Sequence, residues 1–311
     1  MKPEASDDAI ATIPSAGSRK SGGLLRLLSS VRWQEVIVLQ GSPFFGALFS
    51  IGRLTEGKLA SLALLLASSF CLLAHVFVFN DWAGIEGDLR DPYRASSVFL
   101  IRGVRRREIG YLSTALMGLG LLLLLPLGMR ALAIGIGIII LSAMYSAPVL
   151  HFKGVPLISS GLHFAGGLLH FLLGYALFRA IDARGLEIGA FFALTNVAGH
   201  LAHEARDWEG DQLNGIRTNA VSFGRRSGFI ASFVLFTMAY GLMTALAIQG
   251  SVPHLIVWIA ALYPLHLYWT LRTLRAGLDF ERVGKMQERY RVLYAMVGVI
   301  MLIGLFPSIT P

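Results

Sequence analysis

The chain contains little charge and almost no cysteine. Charged residues make up 15% of its 311 residues, well below the roughly 25% of an ordinary soluble domain. The single cysteine, Cys71, cannot form an internal disulfide. Hydrophobic residues, in contrast, make up 55% of the chain. This composition excludes a secreted disulfide-rich, a fibrous and a disordered protein, and it predicts that much of the chain faces lipid.

Long apolar stretches recur from residue 36 to residue 307. About 20 such residues are needed to cross a bilayer as a helix. We therefore predict an all-α membrane protein with nine transmembrane helices. The predicted spans cover residues 34–52, 59–81, 109–129, 131–148, 156–180, 187–205, 227–249, 253–271 and 291–308.

Basic residues outnumber acidic residues by 27 to 19. In a membrane protein such an excess marks cytoplasmic loops rather than a nucleic-acid partner. With the N-terminus inside, 22 of the 27 Lys and Arg residues fall on the cytoplasmic side of the nine predicted spans. This distribution predicts a multi-pass integral membrane protein, of the inner membrane if the source is bacterial, with a cytoplasmic N-terminus and an outside C-terminus.

The first 23 residues are rich in Ser, Ala, Asp and Lys and contain almost no bulky apolar side chains. Such a segment cannot bury enough surface to order itself. We predict a flexible cytoplasmic tail at residues 1–23 and a single nine-helix domain at residues 24–311.

Acidic residues cluster where the second and sixth spans end, both on the predicted cytoplasmic side. The letters are NDWAGIEGD at residues 80–88 and HEARDWEGD at residues 203–211. On a helix that advances about 100° per residue, side chains four or seven positions apart share a face. The carboxylates related in this way are Asp81 and Asp88 in the first segment, and Glu204, Asp207 and Asp211 in the second.

Carboxylates packed this closely repel one another unless a cation lies among them. Oxygen ligands suit Mg²⁺, which commonly bridges carboxylates to a substrate phosphate. Arginines nearby, among them Arg94, Arg102 and Arg217, can bind phosphate oxygens in bidentate fashion. The two segments therefore predict a site that holds a diphosphate through magnesium. Glu86, Asp91 and Glu209 lie off the shared faces, and for them a solvated role stays as open as a functional one.

Three motifs in order along the chain resemble those of the UbiA superfamily of intramembrane prenyltransferases. The first has the form N-D-x-x-D-x-x-x-D in that superfamily and appears here at residues 80–88. The second, D-x-x-x-D followed by G-x-R-T, appears at residues 207–218. The third combines Tyr145 with Lys153 after the fourth span.

The resemblance implies a nine-helix bundle around a central cavity with a cytoplasmic polar cap. It implies a prenyltransferase that uses Mg²⁺ to bind and ionise a polyprenyl diphosphate and passes the prenyl group to a small-molecule acceptor, commonly an aromatic ring. The implied catalytic residues are Asp88, Asp207 and Asp211, and the implied metal ligands are these three with Asp81. The implied substrate-binding residues are Asn80, Asp81, Arg94, Arg102, Tyr145, Lys153, His203, Glu204 and Arg217.

Gly84 stands where that superfamily usually carries the middle aspartate of its first motif. The departure leaves room for a related reaction, either cyclisation of the prenyl cation or transfer of another phosphate-activated group such as phosphoribosyl. A cation-coupled transporter is the alternative from a different class. Transporters place their polar groups near the bilayer midplane, whereas these carboxylates gather at one face, which favours the enzyme.

Two further features have open interpretations. His163 and His170, seven residues apart on the fifth span, either pack within the bundle or line an acceptor pocket. The segment 94–107 mixes apolar residues with five arginines. It is either an interfacial helix that caps the cavity or a solvated loop.

Overall fold

The structure of the protein is a computed structural model that describes residues 23–309. The predicted tail at residues 1–23 lies outside the described residues except for Gly23. Within the described range the regular elements are all helical. They are α1 (Gly23–Leu28), α2 (Trp33–Leu39), α3 (Gly41–Ser50), α4 (Glu56–Arg90), α5 (Arg106–Leu124), α6 (Met129–Ser146), α7 (Ile158–Phe178), α8 (Ala183–Arg206), α9 (Trp208–Leu213), α10 (Asn219–Phe223), α11 (Arg225–Ile248), α12 (Tyr263–Ala276) and α13 (Phe280–Ile309), joined in places by short 3₁₀ turns.

Seven helices in the described part of the chain are long and apolar enough to cross a membrane. They coincide with seven of the nine predicted spans, the second to fifth and the seventh to ninth. Their bounds are Glu56–Arg90, Arg106–Leu127, Met129–Ser146, Ile158–Phe178, Arg225–Ile248, His254–Ala276 and Phe280–Ile309. The chain is therefore an all-α, multi-pass membrane protein.

The two other predicted spans correspond to helices of a different character. The first, residues 34–52, is divided between α2 and α3, and each part is too short to cross a bilayer alone. The sixth, residues 187–205, is α8, which has 24 residues but a more polar sequence than the seven.

Glycine allows α3 to pack tightly into the bundle. A Cβ at Gly46 of α3 would lie 2.0 Å from the carbonyl oxygen of Phe171, and one at Gly174 of α7 would lie 1.8 Å from that of Pro43. Small residues at a helix crossing let two backbones approach closely, which is how helices associate in lipid. The α3–α7 crossing thus places the first predicted span against the fifth.

The helix α4 extends well beyond the length of a single span. Its 35 residues, at about 1.5 Å of rise each, measure about 50 Å, against about 30 Å for a hydrocarbon core. The first acidic segment, residues 80–88, lies in its last turns. The second acidic segment, residues 203–211, spans the end of α8 and the start of α9, and the structure brings the two segments together.

The segment 94–107 is not one interfacial helix. It forms two short 3₁₀ turns, Ala95–Ser97 and Phe99–Arg102. Gly103 then adopts a left-handed conformation with φ 73°, which ends the second turn. Val98 and Phe99 are buried in the core, and this burial holds the segment in place.

Candidate diphosphate site

A single pocket lies between the ends of α4 and α9. Six of the residues predicted from the sequence line it, together with Gly84 and residues that the sequence did not single out. The predicted ones are Asn80, Asp88, Arg94, Tyr145, Lys153 and Asp211. The structure therefore brings the two acidic segments and the Tyr145–Lys153 motif to one place.

Arg94 joins the two acidic segments. Its Nη1 lies 3.3 Å from Oδ1 of Asp88, its Nη2 donates to Oδ2 of Asp207, and its Nε lies 3.8 Å from Oδ2 of Asp91. In the part of the chain that the structure describes, no three His, Cys, Asp or Glu side chains are grouped as a metal site. An arginine cation instead lies among the carboxylates, which would otherwise repel one another.

Asp207 marks a break in the helix rather than a point on a continuous one. It ends α8 with φ −85° and ψ 9°, and α9 starts at the next residue. For this reason Glu204 and Asp211 do not share a helix face, contrary to the prediction. Asp211 lines the pocket, whereas the Glu204 carboxylate accepts a hydrogen bond from Asn219 Nδ2 at 3.0 Å.

Two arginines hold Asp207 in its ionised form. Arg206 donates from Nε and Nη2 to the two carboxylate oxygens at 2.8 and 3.2 Å, and Arg94 donates from the opposite side. Burial acts against ionisation, but Arg94 and Arg206 hold the pKa of Asp207 well below its usual range. Gln287 accepts from Arg206 Nη1 at 2.8 Å, so α13 helps to position this carboxylate.

Asp211 has the opposite electrostatic environment. Burial raises its pKa to about 6, although the nearby Lys153 ammonium partly lowers it and the Asp207 carboxylate raises it further. The side chain therefore faces the pocket with less charge compensation than Asp207. A cation that enters the pocket would interact favourably with it.

Residues that the sequence analysis did not place in the site connect its parts. Arg32 pairs with Asp81 through two hydrogen bonds, one of them Nε to Oδ2 at 3.2 Å. Asn214 Nδ2 donates to the carbonyl oxygens of Gly87 and Gly210 at 3.0 and 2.9 Å. Sequence spacing could not predict either contact. Arg32 and Asp81 are 49 residues apart in the chain, and Asn214 and Gly87 are 127 residues apart.

Asp91 is buried, with only 4% of its surface exposed. Of the two roles that the sequence left open for it, the structure therefore excludes that of a solvated surface charge. Its Oδ1 accepts from the backbone N–H of Tyr93 at 2.9 Å. The carboxylate packs on Gly210, where an added Cβ would lie 2.1 Å from Oδ2. A glycine at 210 is thus needed for α9 to pack against the Asp91 carboxylate.

Six of the twelve predicted site residues do not line the pocket. They are Asp81, Glu204 and Asp207, whose contacts are given above, and Arg102, His203 and Arg217. Arg102 is exposed and donates to the carbonyl oxygen of Ser29. Arg217 is exposed, and neither it nor His203 is among the lining residues. Charge and motif had suggested that Arg102 and Arg217 bind phosphate, whereas the structure leaves both side chains exposed outside the pocket lining.

The sequence profile of the UbiA prenyltransferase family matches residues 42–280, which is most of the chain. The comparison with curated proteins finds no match.

Solved structures share the fold. A UbiA homolog from Archaeoglobus fulgidus bound to DMAPP and Mg²⁺ has a TM-score of 0.70 and 18% identity, over 92% of this chain and 99% of that chain. A UbiA homolog from Archaeoglobus fulgidus bound to GPP and Mg²⁺ has a TM-score of 0.66 and 16% identity, over 90% of this chain and 99% of that chain. A structure that concerns the biosynthesis of digeranylgeranylglyceryl phosphate synthase in membranes has a TM-score of 0.67 and 21% identity, over 91% of this chain and 99% of that chain. The chain belongs to the UbiA prenyltransferase family.

Proposed function

We propose that this chain is a magnesium-dependent enzyme that transfers a prenyl group from a polyprenyl diphosphate to an aromatic acceptor within the membrane. The observation that carries the proposal is the one pocket in which Asp88 and Asp211, from separate acidic segments, face Arg94 and Lys153. Oxygen donors for a dication and nitrogen donors for phosphate are both needed to bind a metal diphosphate. The family and the relatives bound to DMAPP or GPP with Mg²⁺ support this donor class.

The acidic residues fit magnesium. Asp88 and Asp207 already converge on one cation, the Arg94 guanidinium, so the site is built to surround positive charge. Asp88, Asp207 and Asp211 would hold the metal. Asp81 is the fourth predicted ligand, and its pairing with Arg32 would have to loosen first. Bound Mg²⁺ would neutralise charge that develops on the leaving diphosphate.

The chain's own residues act on the rest of the donor. Arg94 and Lys153 bind phosphate oxygens, and Arg94 is free to do so once a dication replaces it between the carboxylates. Asn80 is held in position by Ser146, whose Oγ donates to its Oδ1 at 3.2 Å. Tyr145 lines the same pocket. Its ring offers a negative face to the allylic cation that forms when the diphosphate leaves.

In the proposed arrangement residues 24–311 form one catalytic domain of nine spans around a central cavity, with a cytoplasmic polar cap. The first span is α2 with α3 and the sixth is α8. The N-terminus is cytoplasmic and the C-terminus is outside. Cysteine labelling can test this topology, but the loop glycines Gly103 and Gly215 have positive φ and a Cβ at Gly185 would strike Tyr175, so these three are poor positions for the cysteine.

Exposed residues give a better test of this topology. In a Cys71→Ser background, Arg107→Cys and Leu213→Cys should react with impermeant reagents from the cytoplasmic side only, and Ala183→Cys from the outside only. These three positions are exposed in the structure. Labelling of positions 107 and 213 from opposite sides would contradict the arrangement, because both acidic segments must reach one pocket.

Turnover assays test the chemistry. Purified protein would be incubated with Mg²⁺, labelled prenyl diphosphates of several lengths and a panel of aromatic acceptors. We expect Asp207→Asn and Asp211→Asn to abolish activity without loss of folding, because each removes a charge at nearly constant shape. Glu209→Gln is the matched control: Glu209 lies on the same short helix but pairs with Arg225 at 3.0 Å. Full turnover in excess EDTA, or wild-type rates in either Asp variant, would rule out the metal assignment.

Product analysis in the turnover assay, together with an ion-flux measurement, separates the alternative functions. Cyclic hydrocarbon released without an acceptor would indicate a cyclase, and activity only with a phosphoribosyl donor would indicate the other alternative. Metal-dependent ion flux into proteoliposomes without any diphosphate release would indicate a transporter. The proposed function requires the joined donor–acceptor product.

A further inference from the structure

A group of buried polar side chains adjoins the diphosphate pocket on its membrane side. The imidazole rings of His163 and His200 stack with centroids 3.6 Å apart and planes 8° apart. Tyr145 packs edgewise on His163, with centroids 4.8 Å apart. Because Tyr145 also lines the pocket, His163 is one ring away from the place where the allylic cation would form.

The hydrogen-bond pattern defines the protonation of His163. Its Nδ1 lies 2.9 Å from the carbonyl oxygen of Ser159. A carbonyl oxygen can only accept, so Nδ1 of the neutral ring carries the hydrogen and Nε2 carries the lone pair. The backbone is held too, since Asn196 Nδ2 donates to the carbonyl oxygen of His163 at 2.7 Å. The ring is therefore a fixed base with one nitrogen available.

Behind the stacked rings lies a buried carboxylate without a lysine or arginine partner. Glu204 is 5% exposed, and Nε2 of His200 lies 3.0 Å from its Oε1. Within residues 23–309, no lysine or arginine forms an ion pair with it. Its other contacts are N–H and O–H donors, from Asn219 at 3.0 Å, Ala220 at 3.4 Å and Ser159 at 3.5 Å. The carboxylate would attract a positive charge that forms on the imidazole pair during the reaction.

We propose that His163 is the general base that removes the proton from the acceptor, and that His200 and Glu204 are positioning residues that stabilise the imidazolium. This inference rests on the proposed function. It places the acceptor's reacting atom beside Nε2 of His163, between the Tyr145–His163 ring pair and the diphosphate. It also restricts the acceptor to molecules that lose a proton on prenylation, such as a phenol or an aromatic ring carrying C–H.

The proposed step conserves atoms and charge. The bond between C1 of the prenyl chain and the diphosphate oxygen breaks, and the electron pair leaves with the diphosphate. An electron pair of the acceptor forms the new bond to C1. The hydrogen on the acceptor's reacting atom passes as a proton to Nε2 of His163, and the imidazolium then faces the His200–Glu204 pair.

The first test measures two products of one donor. Purified wild-type protein with Mg²⁺, geranyl diphosphate and the acceptor panel gives joined product, while attack by water gives geraniol. General-base catalysis contributes about 100-fold to 10,000-fold. We expect His163→Gln to lose at least about 100-fold of the joined product while geraniol formation stays within about threefold, because ionisation of the donor does not need the base. A purely structural role would lower both products together.

His170 supplies a matched control on the same helix. Its Nδ1 also bonds to a backbone carbonyl, that of Gly166 at 2.8 Å, but no His200–Glu204 pair stands behind it. His170→Gln should therefore leave the product ratio unchanged. Glu204→Gln keeps the shape and removes the charge, and we expect it to reduce joined product about tenfold, within the range of a single charge contact.

A spectroscopic test does not depend on the native acceptor. 4-Nitrophenol absorbs at longer wavelength once deprotonated. With Mg²⁺ and inorganic diphosphate present, the wild-type protein and His170→Gln should raise the nitrophenolate fraction at constant pH, and His163→Gln should not. An equal fraction in all three proteins, or none in the wild type, would overturn the inference, as would wild-type joined product from His163→Gln. If the wild type releases no diphosphate from any prenyl donor, the proposed function fails instead.

Discussion

Gly84 is the position at which the chain departs from the first motif of its family, and the structure makes a substitution there informative. A Cβ added to Gly84 would meet only Oδ2 of Asp88, at 4.0 Å. A glycine inside a helix costs about 1 kcal/mol relative to alanine, yet no neighbouring helix requires it here. Because Gly84 lines the pocket, we infer that its small size leaves space for a substrate.

The substitution Gly84→Asp adds a third carboxylate one helical turn from Asp88. Two charges about 5 Å apart at an effective dielectric constant of about 20 interact by about 3 kcal/mol. A dication at the same distance is attracted twice as strongly, by about 6 kcal/mol before solvent screening. The repulsion between the two carboxylates is present with and without the metal, so it does not reduce this gain in metal affinity. After screening we expect magnesium to bind about 10-fold to 100-fold more tightly.

Turnover should fall even so, because the new side chain occupies the space that the glycine leaves. The measurements are magnesium titrations and turnover of Gly84→Asp, with Gly84→Asn and Gly84→Ala as controls. The Asn variant has the bulk of Asp without its charge, so it should lower turnover without tighter metal binding. If Gly84→Asp and Gly84→Ala both match the wild type in metal dependence and turnover, position 84 is neither a ligand site nor a steric constraint, and the reasoning fails.

Three further predictions concern the same pocket. Lys153→Met removes a charged hydrogen-bond donor worth about 1.5–3 kcal/mol, so the KM for the donor should rise, or kcat should fall, at least about tenfold; unchanged kinetics would show that Lys153 does not bind the diphosphate. Gly210→Ala would put a Cβ 2.1 Å from Oδ2 of Asp91, so the Tm in detergent should fall, whereas Gly84→Ala should not lower it. Since burial raises the pKa of Asp211 to about 6, a proton competes with the metal below that pH. Apparent magnesium affinity should therefore decrease as the pH falls through about 6, and Asp211→Asn should lose this dependence.

The membrane class and most of the architecture could be predicted from the sequence. The length of an apolar run depends only on consecutive residues, and seven of the nine predicted spans coincide with helices able to cross a membrane. The nine-span count stays a prediction, since α2 and α3 are short and α8 is polar. Family membership was likewise predicted from motifs of short spacing and is confirmed over residues 42–280.

The site could be predicted only in part. Asp88, Asp211, Lys153 and Tyr145 were predicted and line the pocket, although their roles there remain predictions. The prediction that Glu204 and Asp211 share a helix face was wrong, because it assumed a continuous helix and the helix is interrupted at Asp207. A helical repeat cannot reveal such a break, since the geometry at 207 depends on contacts with other helices.

The sequence by itself determined which segments enter the membrane and which residue types meet at the acidic motifs, because both follow from local composition and spacing. Only the tertiary structure decided the pairing of these residues. Arg94 reaches Asp207 across 113 positions, and Asn214 reaches Gly87 across 127. Contacts at such separations arise from helix packing, in which the whole bundle determines the nearest partner of each charge, and no local pattern in the chain records that outcome.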